Sequence, residues 1–429
     1  MNKTSKDVIV VGFALFAMFF GAGNLIFPPA LGLMTGDTWV PGLIGFLLTG
    51  IGMPVLGIIA ASKAGGSLSD LADKVNPTFS KIIGTVIMLA IGPLLAIPRT
   101  GATTFEMGFA PVFPSVSPIL VSVIFFGVTL FLVINPSGIV DKIGKVLTPV
   151  LLVSLLVIII KGIMNPIGTP VDTGMLNPFS KGFTEGYQTM DALASMVFAG
   201  IVIGSLVQKG YTDTKDQIKL TVMSGLVAAT GLAIVYGGLM YLGATSSGIF
   251  PADISRTQLT ISITERILGN AGKALIGISV SLACLTTAVG LTATCGEYFS
   301  NLSNGRIGYK PIVIGVTVFS AVMSNFGVDT IVKIAVPLLV TVYPVGIILI
   351  VMNIFDDYIP NKTAYTGAVF GAVCISLFDA LAAMGTPILA VSELISKLPL
   401  ASSGFAWILP AIVGSIIAMA TMKKKQKNA

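Results

Sequence analysis

Apolar residues fall along this chain in long blocks separated by short segments rich in glycine, proline, asparagine and lysine. A helix that crosses a bilayer needs about 20 predominantly apolar residues. Twelve stretches meet that need: 8–33, 40–62, 81–107, 118–136, 146–163, 187–207, 218–244, 272–300, 311–326, 331–353, 364–385 and 404–422. The pattern predicts an all-α polytopic membrane protein with about twelve transmembrane helices. The first apolar run is longer than the core of a signal peptide and no cleavage site follows it, so it is read as the first span. Two longer connections, 164–186 and 245–271, carry Gly, Pro, Ser, Thr and Asn, and the spacing predicts a short amphipathic helix over Gln258–Leu268.

Composition sharpens this picture. Of 429 residues, 54% are hydrophobic and 10% charged, with a mean hydropathy of +0.94. Soluble domains carry about 25% charged residues, and surface-to-volume scaling would leave this much apolar area wet. A soluble enzyme, a nucleic-acid binder and a disordered chain are excluded. The net charge of +6 is spread over short loops. Cys284, Cys295 and Cys374 lie in apolar stretches without a CxxC pair, and histidine is absent. Neither a disulfide framework nor a zinc site is supported, and the usual neutral-pH proton carrier is missing. No GxxxxGK[ST] motif or long cytoplasmic segment suggests a nucleotide-driven pump. With cytoplasmic termini and twelve spans, 17 of the 25 Lys and Arg residues fall inside, Lys142 and Lys145 among them. That bias supports cytoplasmic N- and C-termini and an even number of spans. The run Lys423-Lys424-Lys425-Gln426-Lys427 is expected to anchor the last span at an anionic leaflet.

Candidate chemistry sits where helices are expected to break. Gly21-Ala22-Gly23-Asn24 is a poor helix interior, since each Gly costs roughly 1 kcal/mol relative to Ala. Pro28 removes an amide and clashes with the Asn24 carbonyl. An unwound turn in lipid is tolerated only where it lines a cavity or meets an ion or ligand. A glycine packing face is the alternative; the following Pro28-Pro29 favours a break. A weaker counterpart is expected in the sixth span at Ser195-Met196-Val197-Phe198-Ala199-Gly200, five spans later. Paired interruptions of this kind point to the binding site of an inverted-repeat transporter. In the eighth span, Thr286 and Thr287 stand together among small residues. Their hydroxyls suit either a bond back to their own helix or a small hard cation.

Gly21-Ala22-Gly23-Asn24-Leu25-Ile26-Phe27-Pro28-Pro29, with Ile97-Pro98-Arg99-Thr100 and Leu285-Thr286-Thr287, resembles the signature of the branched-chain amino acid:cation symporters (LIVCS family, BrnQ-type, of the APC superfamily). The resemblance extends over essentially the whole chain. It implies a LeuT-like fold: a first repeat at 1–163, an external loop at 164–186, a second inverted repeat at 187–353, and two additional spans with a basic tail at 354–429. It implies import of leucine, isoleucine and valine across a bacterial inner or plasma membrane, coupled to a cation, Na⁺ foremost, by alternating access, with no other cofactor and no catalysis. By motif, a Na⁺ site would use the carbonyls of Ala17, Phe20 and Ala283 and the hydroxyls of Thr286 and Thr287. A second ion site would draw on Asn24. Substrate would meet Met18, Phe19, Gly21, Ala22, Gly23, Asn24, Leu25, Val197, Phe198 and Ala199. Free amides at Ala22–Leu25 suit a carboxylate at a helix N-terminus. Carbonyls near Phe19 and Val197–Ala199 suit the ammonium, and Met18, Phe19 and Phe198 the aliphatic side chain.

Charges inside spans are functional candidates by default. Arg99 and Glu106, seven residues apart on one face of the third span, are expected to pair with other helices or to gate the outer side, with direct substrate contact as the alternative. Glu297 is placed on the cytoplasmic pathway, Asp191 at the outer end of span six, and Asp379 in a structural role. The expected partners are a small-molecule substrate and membrane lipid, with no nucleic acid and no obligate protein. Alternatives are a symporter for another small neutral amino acid, proton coupling through a membrane carboxylate, and, more remotely, a passive channel.

Overall fold

The computed structural model describes residues 3–134 and 139–427, and the side chains of these except 139–147 and 422–427. Lys142, Lys145 and the anchor expected at Lys423-Lys424-Lys425-Gln426-Lys427 lie outside the described side chains. Every regular element among the described residues is helical. In chain order these are α1 (Lys3–Phe19), α2 (Ala22–Thr35), α3 (Trp39–Leu47), α4 (Met53–Ala64), α5 (Leu68–Ala72), α6 (Pro77–Leu89), α7 (Ala96–Thr103), α8 (Pro118–Val133), α9 (Ile139–Met164) and α10 (Pro178–Tyr187). There follow α11 (Asp191–Gln208), α12 (Thr214–Ala244), α13 (Arg256–Leu268), α14 (Asn270–Leu302), α15 (Tyr309–Met323), α16 (Val328–Ile354), α17 (Thr363–Ala383), α18 (Leu389–Ser396) and α19 (Ile408–Lys427). Among the described residues, eight helical stretches are long and apolar enough to cross a membrane, from Ala22–Ala64 to Thr363–Ala383. Pro118–Val133, Thr148–Met164 and Ile408–Thr421 are shorter apolar helices. The helix expected at Gln258–Leu268 is α13.

The helices form two compact units, each assembled from separate parts of the chain. The first comprises Met1–Ile51, Met88–Met190 and Met223–Lys333. Its helices meet through glycines, as expected where backbone contact replaces the hydrophobic effect. A Cβ on Gly32 would lie 2.0 Å from the Met240 carbonyl oxygen, and one on Gly243 2.0 Å from that of Pro29, so α2 and α12 touch backbone to backbone. Between α3 and α10, a Cβ on Gly45 would reach the Phe179 carbonyl and one on Gly182 that of Gly42. The outer face of α8 exposes Ile119, Val123, Ile124 and Phe131. A contiguous exposed apolar face of this kind belongs in lipid.

The second unit comprises Gly52–Ile87, Asp191–Val222 and Ile334–Ala429. Here α4 packs on α11, where a Cβ on Gly57 would sit 2.0 Å from Ser195 Oγ. Gly367 and Gly371 of α17 lie against the backbones of Gly414 and Pro410 of α19. Outside the apolar stretches, Lys74 Nζ pairs with Asp356 at 2.7 Å, and the Tyr365 hydroxyl donates to the same carboxylate. Part-burial alone would raise the Asp356 carboxyl. Hydrogen bonds from Lys74 and Tyr365 and the charges of Lys74 and Lys362 outweigh it and hold the group below the usual carboxylate range.

Among the described residues, three interruptions stand out inside apolar stretches. The first separates α1 from α2 at Phe20 and Gly21. It lies N-terminal to the proline pair, and α2 runs through Pro28 and Pro29. The prolines cost α2 two amide donors without ending it. The second separates α10 from α11 at Gln188–Met190, with Met190 at φ 65°. That conformation is strained for a side chain of this size, by about 1–3 kcal/mol. This corrects the sequence reading: Val197, Phe198 and Ala199 continue α11, and the interruption lies about nine residues upstream, at the start of the sixth stretch. The third interruption was not anticipated. Between α6 and α7 the chain passes through a π-helical turn, Ala90–Leu94, in which Gly92 leaves helical geometry. A second π-helical segment, Thr104–Phe109, follows α7.

Candidate functional site

The first break is built entirely within the first unit. Phe16 and Phe20 stack at 5.2 Å, and Phe20 stacks in turn on Tyr236 at 6.3 Å, so the Phe20 ring is committed to the core. Its own amide still bonds to the Phe16 carbonyl at 2.8 Å. Gly21 is extended, at φ −123° and ψ −160°, and opens α2. The Asn24 side chain reaches back to accept from the Gly21 amide at 2.9 Å, one half of a capping box. Its Nδ2 donates to the Tyr236 hydroxyl. Asn24 is thus a brace of the break, inside α2 rather than in the unwound turn. Tyr236, 212 residues away, was not among the expected site residues.

Helix α14 meets this break through Thr287. Its hydroxyl donates to the Phe20 carbonyl at 3.5 Å, and a Cβ on Gly21 would lie 2.9 Å from Thr287 Oγ1. The adjacent Thr286 hydroxyl donates instead to the carbonyl of Ala283, one turn back in α14, at 2.9 Å. Thr286 therefore makes the bond back to its own helix that such residues commonly make, whereas Thr287 reaches across to α1. Of the five expected cation ligands, the structure joins Phe20 to Thr287 and Ala283 to Thr286. Ala17, also expected, lies buried in the last turn of α1, where helix carbonyls lack intrahelical donors. Among the described residues no group of three or more His, Cys, Asp or Glu gathers. A cation held here would be met by neutral carbonyl and hydroxyl oxygens, a hard donor set.

Met18 and Phe19 complete the last turn of α1, and Ala22, Gly23 and Leu25 lie in the first turn of α2, all but Met18 buried. The amides of that first turn have no intrahelical acceptors, and Gly21 at the cap offers no side chain to them. Val197, Phe198 and Ala199 belong to α11 in the second unit, where their carbonyls are within a continuous helix. Asp191 opens that helix, a place where a carboxylate is favoured by the helix dipole.

Arg99 joins the two breaks of the first unit. It is 3% exposed. Nη1 donates to the Gln188 carbonyl at 2.6 Å and Nη2 to that of Thr189 at 3.5 Å. The guanidinium stacks 5.3 Å from the Phe27 ring centroid, and a Cβ on Gly23 would lie 2.7 Å from Nη2. Glu106 does a different job. It accepts from the Thr257 hydroxyl at 2.7 Å and from the Val328 amide at 2.9 Å, tying α13 to the start of α16. Arg256 of α13 pairs with Asp329 at 3.3 Å and covers Phe27 at 5.6 Å. Glu297 is exposed on α14 and Asp379 half-buried on α17.

Comparison with known proteins places these features in context. Residues 4–425 match the model of a family described as branched-chain amino acid transport protein. The chain is 40% identical over 421 residues to the branched-chain amino acid permease BraB of Bacillus subtilis, covering 96% of this chain and 94% of that one. In fold it is similar to MhsT, solved in complex with L-phenylalanine, with a TM-score of 0.60, 18% identity and coverage of 96% and 98%. It is likewise similar to a Na⁺-coupled sialic acid symporter in its substrate-bound outward-open state, with a TM-score of 0.62, 14% identity and coverage of 96% and 90%.

Proposed function

Because the chain belongs to the branched-chain amino acid transport protein family, and is therefore an integral membrane transporter and not an enzyme, we propose that it imports leucine, isoleucine and valine together with Na⁺ by alternating access. The observation that carries this reading is the meeting of Thr287 with the Phe20 carbonyl at the break between α1 and α2. A Na⁺ ion drawn to the carbonyls of Ala17, Phe20 and Ala283 and the hydroxyls of Thr286 and Thr287 would tie α14 to the non-helical turn between α1 and α2. Binding there favours whichever conformation brings these oxygens together, which is how an ion gradient biases a two-state carrier. The substrate's carboxylate fits the amide end of α2, and the apolar residues Met18, Phe19 and Leu25 suit its side chain. One methylene changes affinity by only about 1–3 kcal/mol, so the three branched-chain substrates should compete.

We further assign twelve spans with both termini cytoplasmic, arranged as inverted repeats at 1–163 and 187–353 with two additional spans. Supporting this are the fold similarity to MhsT and to a Na⁺-coupled sialic acid symporter and the two interruptions in the first and sixth apolar stretches. Uptake of radiolabelled Leu, Ile, Val, Ala and Ser by cells expressing the protein, with and without a Na⁺ gradient, tests the reading. Leu, Ile and Val should accumulate with Na⁺. Preference for Ala or Ser would reassign the substrate, and accumulation driven by a proton gradient alone would reassign the ion.

A further inference from the structure

We propose that the first turn of α13 is a clasp over the first break: it sets the Arg256 guanidinium on the Phe27 ring, and its release is the step that lets leucine in and out. This rests on the reading of the first break as the amino acid site.

The groups involved all belong to the first unit and run from its surface to the break. The Asp329 side chain, 40% exposed, pairs at 3.3 Å with that of Arg256, which is 23% exposed. The Arg256 guanidinium lies 5.6 Å from the centroid of the Phe27 ring, and Phe27 is fully buried. Phe27 stands one turn after Gly23 on the same face of α2, and a Cβ on Gly23 would lie 3.1 Å from Phe27 Cε2. Each group rests on the next, and the last of them rests on the start of α2.

Arg99 also lies over the Phe27 ring, at 5.3 Å. Two cations on one ring attract it and repel each other, so the less firmly held is the one to leave. Arg99 is 3% exposed and bonded to the Gln188 and Thr189 carbonyls. Arg256 has a part-exposed ion pair, a contact that contributes little, and its Nε is buried without a hydrogen-bond partner among the described residues. The backbone divides in the same way. From Leu259 onward α13 is anchored by buried Leu259, Ile261 and Ile263. Ahead of it, Pro251, Ala252 and Asp253 are exposed. Between them, the first turn is fastened by side chains: Arg256 to Asp329, and the Thr257 hydroxyl to Glu106 at 2.7 Å. Glu106 also accepts from the Val328 amide, so the catch is set on the start of α16. A few breakable polar bonds at the edge of an anchored element are what a closing segment needs.

A clasp sets the barrier to exchange in both directions, whereas a contact with bound substrate sets affinity. The test therefore measures leucine association and dissociation rates, and the equilibrium affinity, on the purified full-length carrier at saturating Na⁺. Thr257→Val removes the bond to Glu106 and keeps the side-chain shape. Arg256→Gln removes the cation from Phe27 and from Asp329. In each variant both rates should rise about threefold or more, the scale of one hydrogen bond or part-exposed ion pair, with affinity nearly unchanged. Should Arg256→Gln fail to insert, Thr257→Val decides alone. A second readout needs no substrate. Cys284 is buried on α14, within reach of the Arg99 charge and one turn before Thr287. In a carrier with Cys295→Ser and Cys374→Ser, a charged methanethiosulfonate should label it faster in both variants. In a carrier that binds leucine, unchanged leucine rates overturn the clasp whatever Cys284 shows. Faster dissociation alone, with affinity lost in proportion, would make the turn a contact of bound substrate and also overturn it. A wild type that does not bind leucine would refute the first break as the amino acid site, and Cys284 labelling would then decide the clasp by itself: unchanged labelling would overturn it.

Discussion

Replacing Thr287 by valine removes one hydroxyl and keeps the branched shape of the side chain. In the structure that hydroxyl lies 3.5 Å from the Phe20 carbonyl, against the Cα of Gly21. A Na⁺ ion at this place would be held by about five oxygens, of which the substitution deletes one. A hydrogen bond or polar contact to a charged group contributes about 1.5–3 kcal/mol. At 1.4 kcal/mol per tenfold, Na⁺ affinity should fall by roughly 10- to 150-fold. The assay is leucine uptake into proteoliposomes against Na⁺ concentration, with leucine affinity measured separately at saturating Na⁺. Half-activation should move to higher Na⁺ by that factor, and leucine affinity at saturating Na⁺ should move much less. Thr287→Ser keeps the oxygen and should restore most of the loss. Thr286→Val should act in the same direction, less strongly where the bond to Ala283 is the main employment of its hydroxyl. An unchanged Na⁺ activation curve in Thr287→Val would refute the reasoning, because a threonine that only packs against Gly21 has no reason to affect an ion.

Three further outcomes follow from the packing. Tyr236→Phe leaves the buried Asn24 amide without its hydroxyl partner and should lower stability by about 1–3 kcal/mol, read as a drop in the melting temperature of the purified carrier. Gly32→Ala sets a Cβ 2.0 Å from the Met240 carbonyl; it should abolish folded protein, seen as loss of the monodisperse peak after detergent extraction, whereas Gly127→Ala, which meets nothing within 4 Å, should not. Asp356 has a lowered pKa in the folded protein, so its contribution is present above the ordinary Asp value of about 3.9 and is lost as pH falls through the lower folded value. Wild type should therefore be more stable than Asp356→Asn at neutral pH, and the difference should shrink as the pH is lowered below about 4; a difference independent of pH would contradict the Lys74–Asp356 attachment.

Composition and block length carry most of the fold, because lipid demands long apolar helices and tolerates few charges. The first break was legible in Gly21-Ala22-Gly23-Asn24, and α2 opens at Ala22 as expected; what the sequence hid is that Asn24 braces the break from inside α2 and that the prolines sit within the helix. The second break was misplaced because Met196-Phe198 repeats the look of Met18-Phe20. Its true signal, the polar pair Gln188-Thr189 after Gly186, is short and draws its conformation from Arg99, 89 residues away. The positive φ of Met190 has no local signature at all, since side chains of that size rarely adopt it. Ile91-Gly92-Pro93 marks the third interruption in hindsight. Tyr236 was invisible because its role depends on which helix α2 packs against, and periodicity does not report that.

The central claim is that Na⁺ drives branched-chain amino acid import through this chain. The most direct measurement is leucine accumulation in proteoliposomes holding the purified protein under an inward Na⁺ gradient at equal pH on both sides. The account predicts transient accumulation above the external concentration, lost when a Na⁺ ionophore collapses the gradient. Leucine that merely equilibrates, or that accumulates only under an inward proton gradient, would contradict it.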